Sequence, residues 1–123
     1  MNSIIHISDL HFGKPFVQDI GDAVLRFLDD HQHDVLVCSG DIVQFAEMKS
    51  SWEEARQFFA SVAAPLMIVP GNHDVLRFFP VRRWLTPMHR YFEYINRDRD
   101  MKIQLPGLDL VGLGTMRAWT IEL

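Results

Sequence analysis

Apolar residues along this chain fall into short unbroken runs separated by longer periodic stretches. Ile4-Ile5-His6-Ile7, Val35-Leu36-Val37-Cys38 and Leu66-Met67-Ile68-Val69 are too short for helices, rich in β-branched residues and bounded by turn formers. Each reads as a parallel strand buried on both faces. Between the first two runs, Ile20, Ala23, Val24, Phe27 and Leu28 recur at i, i+3, i+4, i+7 and i+8, the stripe of an amphipathic helix that ends around Asp30 to His33. Between the second and third, Trp52, Ala55, Phe59 and Val62 form another stripe, bordered by Phe58. Ser50-x-x-Glu53 or Ser51-x-x-Glu54 offers a capping box at its start. Thr86 as N-cap and Pro87 in the first turn predict a further helix carrying Met88, Tyr91, Phe92 and Ile95. Lys102 to Leu105 and Leu108 to Leu113 flank Pro106-Gly107 and read as a hairpin.

The order βαβαβ followed by a hairpin predicts an α/β fold built on a parallel sheet. Composition narrows this only slightly: 123 residues, 48% hydrophobic and 23% charged, fit one ordinary domain. Lys and Arg total 12 against 16 Asp and Glu, a net charge of −4, so there is no overall basic surface for non-specific nucleic-acid binding. Cys38 is the single cysteine and forms no internal disulfide. The amino terminus lacks the pattern of a signal peptide, and no apolar segment approaches the roughly 20 residues that span a bilayer. A cytoplasmic protein that meets no membrane is expected.

Each strand-like run stops at polar residues of one kind. Ser8-Asp9-Leu10-His11-Phe12-Gly13 follows the first, Ser39-Gly40-Asp41 the second and Pro70-Gly71-Asn72-His73-Asp74 the third, at intervals of one strand-helix-strand unit. In parallel sheets the loops leaving the carboxyl ends of the strands converge on one crevice. Asp9, His11, Asp41, Asn72, His73 and Asp74 would crowd there, and so many carboxylates and acceptors are tolerated only if cations neutralise them. Mixed oxygen and imidazole donors suit Mn, Fe or Zn. A carboxylate can bridge two ions, and Asp41, on the middle loop, is the natural bridge. Two ions about 3.5 to 4 Å apart clamp a phosphate and activate water for in-line attack. His73 would then stabilise the phosphoryl oxygens or protonate the leaving oxygen, with Asp74 orienting it. Alone, each of these stretches is an ordinary turn; ordered together, they are a joint signal for a metal site.

Asp9-x-His11, Gly40-Asp41 and Gly71-Asn72-His73-Asp74 resemble the first three motifs of the calcineurin-like metallophosphoesterases. Within that family, Ser8 to Gly13 and Pro70 to Asp74 are most similar to phosphodiesterases of the cyclic-nucleotide type. Protein serine/threonine phosphatases usually carry Asp-Arg-Gly after the second motif and Glu at the end of the third, where this chain has Ile42-Val43-Gln44 and Asp74. The resemblance implies the amino-terminal half of an α/β/β/α sandwich, with Asp9 and His11 on a first metal, Asp41 bridging, Asn72 on a second, and His73 acting on the phosphate; Asn72 and, because arginine suits phosphate, Arg77 are further candidates to meet the substrate. It implies a hydrolase that cleaves a phosphodiester, such as a cyclic nucleotide, by two-metal activation of water. Family members carry two further histidine motifs, and no histidine follows His89. The expectation is a single, truncated domain over 1–123 whose metal sites fill partly, whose activity is lowered or abolished for want of those ligands, and whose open sheet drives self-association.

Two other functions are weighed. A DNA repair-type nuclease shares these motifs, though the acidic balance does not favour a nucleic-acid partner. A catalytically dead remnant would act as a binding or assembly module. Elsewhere in the chain, His6 reads as a hydrogen-bonded residue inside its strand, His31 and His33 as a helix-end loop, and Cys38 as a small buried side chain. Arg82 and Arg83 read as a solvated helix face. Phe78, Phe79 and Trp84 could stack on a base but are assigned to the core.

Overall fold

A computed structural model describes residues 1–117 of the chain; positions 118–123 of the domain expected over 1–123 lie outside the described residues. The elements run β1 (Ile4–Ile7), α1 (Gln18–Asp30), β2 (Val35–Ser39), α2 (Lys49–Ala60), β3 (Leu66–Val69), a 3-10 turn (Asn72–Asp74), α3 (Pro80–Leu85), α4 (His89–Tyr94), β4 (Met101–Leu105) and β5 (Leu108–Gly112). Strands β1, β2 and β3 form a parallel sheet in that order, with Ile4 opposite Val35 and Leu36 opposite Leu66. Strands β4 and β5 pair antiparallel about Pro106-Gly107. The fold is thus α/β, a parallel three-stranded sheet followed by an antiparallel hairpin, as the order of elements predicts. The hairpin leans on β3, where the Ile68 N–H donates to Met101 Sδ at 3.4 Å.

Strands β2 and β3 are enclosed on both faces: Val35, Leu36 and Cys38 are fully buried in the first, and the adjacent Met67 and Ile68 are buried in the second. Strand β1 lies at the edge, and its residues alternate between exposed and half-buried, which corrects the expectation of burial on both sides. An unbroken apolar run does not separate the two cases, because an edge strand can carry the same residues as a central one.

The core lies between the carboxyl ends of the strands, α2 and α4. Trp52 and Tyr91 are its largest fully buried side chains, 6.5 Å apart edge to face. Each has its polar tip satisfied, Trp52 Nε1 donating to the Ala46 carbonyl at 2.9 Å and the Tyr91 hydroxyl to the Ile68 carbonyl at 2.8 Å. A buried Trp or Tyr requires such a partner.

Three local expectations are corrected. Helix α1 packs through Gly21, Val24, Leu25 and Leu28, whereas Ile20 and Phe27 are exposed. The stripe is rotated because the Phe16 ring lies against Gly21, where a side chain would collide with it. Helix α2 starts at Lys49 without a side-chain cap, and Ser51 is buried inside it, its Oγ close to Gly13. Thr86 ends α3 rather than starting a helix: its N–H donates to the Arg82 carbonyl at 2.8 Å, and α4 begins at His89.

Candidate metal centre

Loops leaving β1, β2 and β3 bring the motifs to one end of the sheet. The first two are laced together by main-chain bonds: the Asp9 N–H donates to Gly40 O at 3.1 Å, His11 to Asp41 O at 3.0 Å, Phe12 to Ile42 O at 2.8 Å and Gln44 to Phe12 O at 3.0 Å. This lacing holds Asp9, His11 and Asp41 in the left-handed region, with φ of 57°, 50° and 52°. That conformation costs an ordinary residue about 1 kcal/mol or more. Backbone strain of this kind persists only where the surroundings impose it and is concentrated at functional sites. Here it falls on three residues whose side chains meet.

Glycines make the second and third loops fit. Gly40 has φ of 91°, and a Cβ there would lie 2.7 Å from the Gly71 backbone. A Cβ on Gly71 would strike the Asp41 carboxylate and amide. The two loops therefore touch back to back, which sets Asp41 beside Asn72 and His73. The His73 N–H donates to Asp41 Oδ1 at 3.1 Å.

Asp9, His11 and Asp41 each direct one donor atom into a common space, all within 4.8 Å of one another. His11 Nε2 stands 3.8 Å from Asp9 Oδ1 and 3.9 Å from Asp41 Oδ2. These separations are too long for hydrogen bonds. They suit two ligands of one ion, each about 2.1 Å from it and so roughly 3 to 4 Å apart. His11 Nδ1 is buried without a hydrogen-bond partner among the described residues. The Asn72 amide, turned so that its nitrogen donates, lies 2.9 and 3.2 Å from the two oxygens of the Asp41 carboxylate. The residues thus fit a divalent ion at Asp9, His11 and Asp41, with Asn72 held against the Asp41 carboxylate.

His73 joins this group, its ring edge-on to that of His11 with centroids 4.6 Å apart. Its Nδ1 lies 2.9 Å from the Gln44 carbonyl. A carbonyl only accepts, so Nδ1 carries the proton and Nε2 is left for a ligand.

Asp74 stands elsewhere. It is 1% exposed and accepts the backbone N–H groups of Ile42, Val43 and Gly71 at 2.9, 3.0 and 2.8 Å. Burial pushes its pKa up to about 6 against the lowering effect of those three donors, with the Asp41 charge adding to the rise. The expected contact in which Asp74 orients His73 is absent, because the 3-10 turn aims the carboxylate back at the Gly71 amide. The Gln44 carbonyl holds the ring instead. No side-chain motif signals a main-chain acceptor, so that role was invisible in the sequence. Arg77 is fixed by its N–H on Glu47 Oε1, and no hydrogen bond or ion pair among the described residues brings its guanidinium to the ligand cluster. Glu47, which the sequence reading passed over, also accepts the Phe78 N–H at 2.9 Å and ties the second loop to the chain after the third.

The calcineurin-like phosphoesterase family model matches residues 3–120, nearly the whole chain. The chain belongs to the calcineurin-like phosphoesterase family. Family membership agrees with a divalent-metal site on the cluster of Asp9, His11 and Asp41. No curated protein matches the chain. Among solved structures, the Pseudomonas putida nuclease MPE is similar at 22% identity and a TM-score of 0.39, over 58% of this chain and 39% of that one. The chain therefore spans less than half the length of that nuclease, and a likeness this distant carries no weight for the site. No described helix is long and apolar enough to cross a membrane.

Proposed function

We propose that the chain carries the first half of a two-metal phosphodiesterase centre and that it hydrolyses phosphodiesters, cyclic nucleotides among them. The observation that supports this most is the convergence of Asp9, His11 and Asp41, three donors on three strained residues, with Asn72 and His73 on the adjoining loop. Asp9, His11 and Asp41 would hold one ion, and Asp41 with Asn72 would begin the site of the second. Divalent ions there supply positive charge to the phosphoryl oxygens and lower the pKa of water.

The protein's part is to position and to move a proton. Asp74 gathers three N–H groups and so fixes the loop that carries Asp41. The Gln44 carbonyl keeps the His73 proton on Nδ1 and turns Nε2 toward the site. Protonated there, His73 would stabilise a phosphoryl oxygen or give its proton to the leaving oxygen. Asn72, and Arg77 once its side chain swings inward, would contact the phosphate.

The test is hydrolysis of bis(p-nitrophenyl) phosphate, with p-nitrophenyl phosphate as the monoester comparison, in the presence of Mn, Fe or Zn. The proposal expects metal-dependent turnover of the diester, abolished by Asp41→Ala and lowered by His73→Ala without loss of metal uptake. Turnover that survives Asp41→Ala, or none with any metal, would refute it.

A further inference from the structure

Between Leu76 and Pro87 the chain makes an excursion that packing does not explain. Its base is closed by Leu76 N–H donating to Pro87 O at 3.0 Å, between the buried side chains of Leu76 and Met88. Helix α3, which lies inside the excursion, buries none of its residues. Phe78, Phe79, Val81, Trp84 and Leu85 are 53 to 76% exposed, which corrects the assignment of Phe78, Phe79 and Trp84 to the core. The base of the segment is tied down: Glu47 accepts the N–H groups of both Arg77 and Phe78, and Arg90, just past the excursion, donates to the Glu47 carbonyl.

Its charge is opposite to that of the chain. Between Asp74 and Glu93 there are four arginines, Arg77, Arg82, Arg83 and Arg90, and no acidic residue, in a protein of net charge −4. Its start lies near Phe45, whose ring is 6.3 Å from that of Phe78 and which follows Gln44, the residue that holds His73. Exposed aromatics interleaved with arginines, next to a site built for phosphate, match what a single strand of nucleic acid offers: flat bases at regular intervals along an anionic backbone. An anionic vesicle would meet the arginines too, but it would not account for the connection to His73.

We propose that residues 77–85 form a platform for single-stranded nucleic acid, with Phe78 and Trp84 stacking on bases and Arg82 meeting the backbone, beside the phosphodiester site. The inference deepens the reading of that site as a phosphodiesterase, and rests on it for the direction in which the strand runs; binding by the platform itself requires no metal.

The test is fluorescence anisotropy of a labelled oligothymidylate titrated with the whole chain in a chelating buffer. Binding is expected, weakened about 5- to 100-fold by Trp84→Ala or Phe78→Ala and largely retained in Trp84→Phe. Arg82→Ala should lower the slope of log affinity against log salt by about 1. Val111→Ser, at an exposed apolar position on β5, should change nothing. An absence of binding, an affinity indifferent to Trp84→Ala and Phe78→Ala, or capture by anionic lipid vesicles with no oligonucleotide binding would overturn the proposal. Failure of the platform leaves diester turnover with Mn intact, whereas failure of the metal-site reading removes that turnover and leaves oligonucleotide binding in chelator unchanged.

Discussion

Replacing Gly71 by alanine probes the contact that sets the candidate metal ligands in place. Gly71 has φ of −105°, a conformation any residue adopts, so the substitution adds no backbone strain. The added methyl meets the carboxylate and amide of Asp41 well inside contact distance. Restoring ordinary contact requires the two loops to part by roughly 1 Å. Overpacking of this kind costs about 1 to 3 kcal/mol of stability. The larger effect falls on the ligands. His11 Nε2 and Asp41 Oδ2 are already 3.9 Å apart, at the upper end of the spacing for two ligands of one ion, and a further displacement of Asp41 takes it out of reach. Metal affinity should fall on the order of 100-fold or more, beyond the effect of disturbing a group that only supports a ligand. Gly107→Ala is the matched comparison. Gly107 has φ of 75° with open space where a Cβ would go, so it should lose about 1 kcal/mol through strain and bind metal normally. Isothermal titration with Mn and thermal unfolding of both variants separate these effects. If Gly71→Ala bound Mn as tightly as the wild type, the back-to-back contact would not be what positions Asp41.

Further expectations follow from single side chains. Asp74→Ala leaves three buried or half-buried N–H groups without their acceptor and should cost about 3 kcal/mol or more in urea unfolding, even after relief of the buried charge; a loss below 1 kcal/mol would contradict the role given to Asp74. Tyr91→Phe removes the hydroxyl that satisfies the Ile68 carbonyl and should cost about 1 to 2 kcal/mol by the same assay. The Cys38 thiol is fully buried, and burial together with the nearby Asp74 charge pushes its pKa up to about 12. Its raised value keeps the thiol protonated at pH 8, so a disulfide reagent should modify it only after unfolding; rapid reaction with the native chain would disagree.

How much of this could be read from sequence depended on what each feature needed. The strands and their terminal loops were legible because apolar runs stop sharply at Asp, His and Asn, and parallel topology then brings those stops together. The candidate cluster of Asp9, His11 and Asp41 was legible from residue type. The strain these residues bear was not, because it arises from main-chain bonds between loops about thirty residues apart. The face of α1 was misjudged because Gly21 takes part in packing by having no side chain, which no hydrophobic stripe can register. Asp74 looked like the partner of His73 by adjacency. The short turn over Asn72–Asp74 instead returns its carboxylate to Gly71, as an acidic residue at the third position of a helical turn does. The outward display of Phe78 and Trp84 was missed because aromatic residues are ordinarily assigned to a core.

The central claim is that Asp9, His11 and Asp41 hold a divalent metal. It is tested most directly by isothermal titration of Mn into metal-free wild-type chain and into Asp41→Ala, with folding of both confirmed by circular dichroism. The account predicts saturable uptake of at least one ion per wild-type chain, with the variant binding at least 100-fold more weakly. A folded wild-type chain that takes up no metal, or an Asp41→Ala chain that binds Mn equally well, would contradict it.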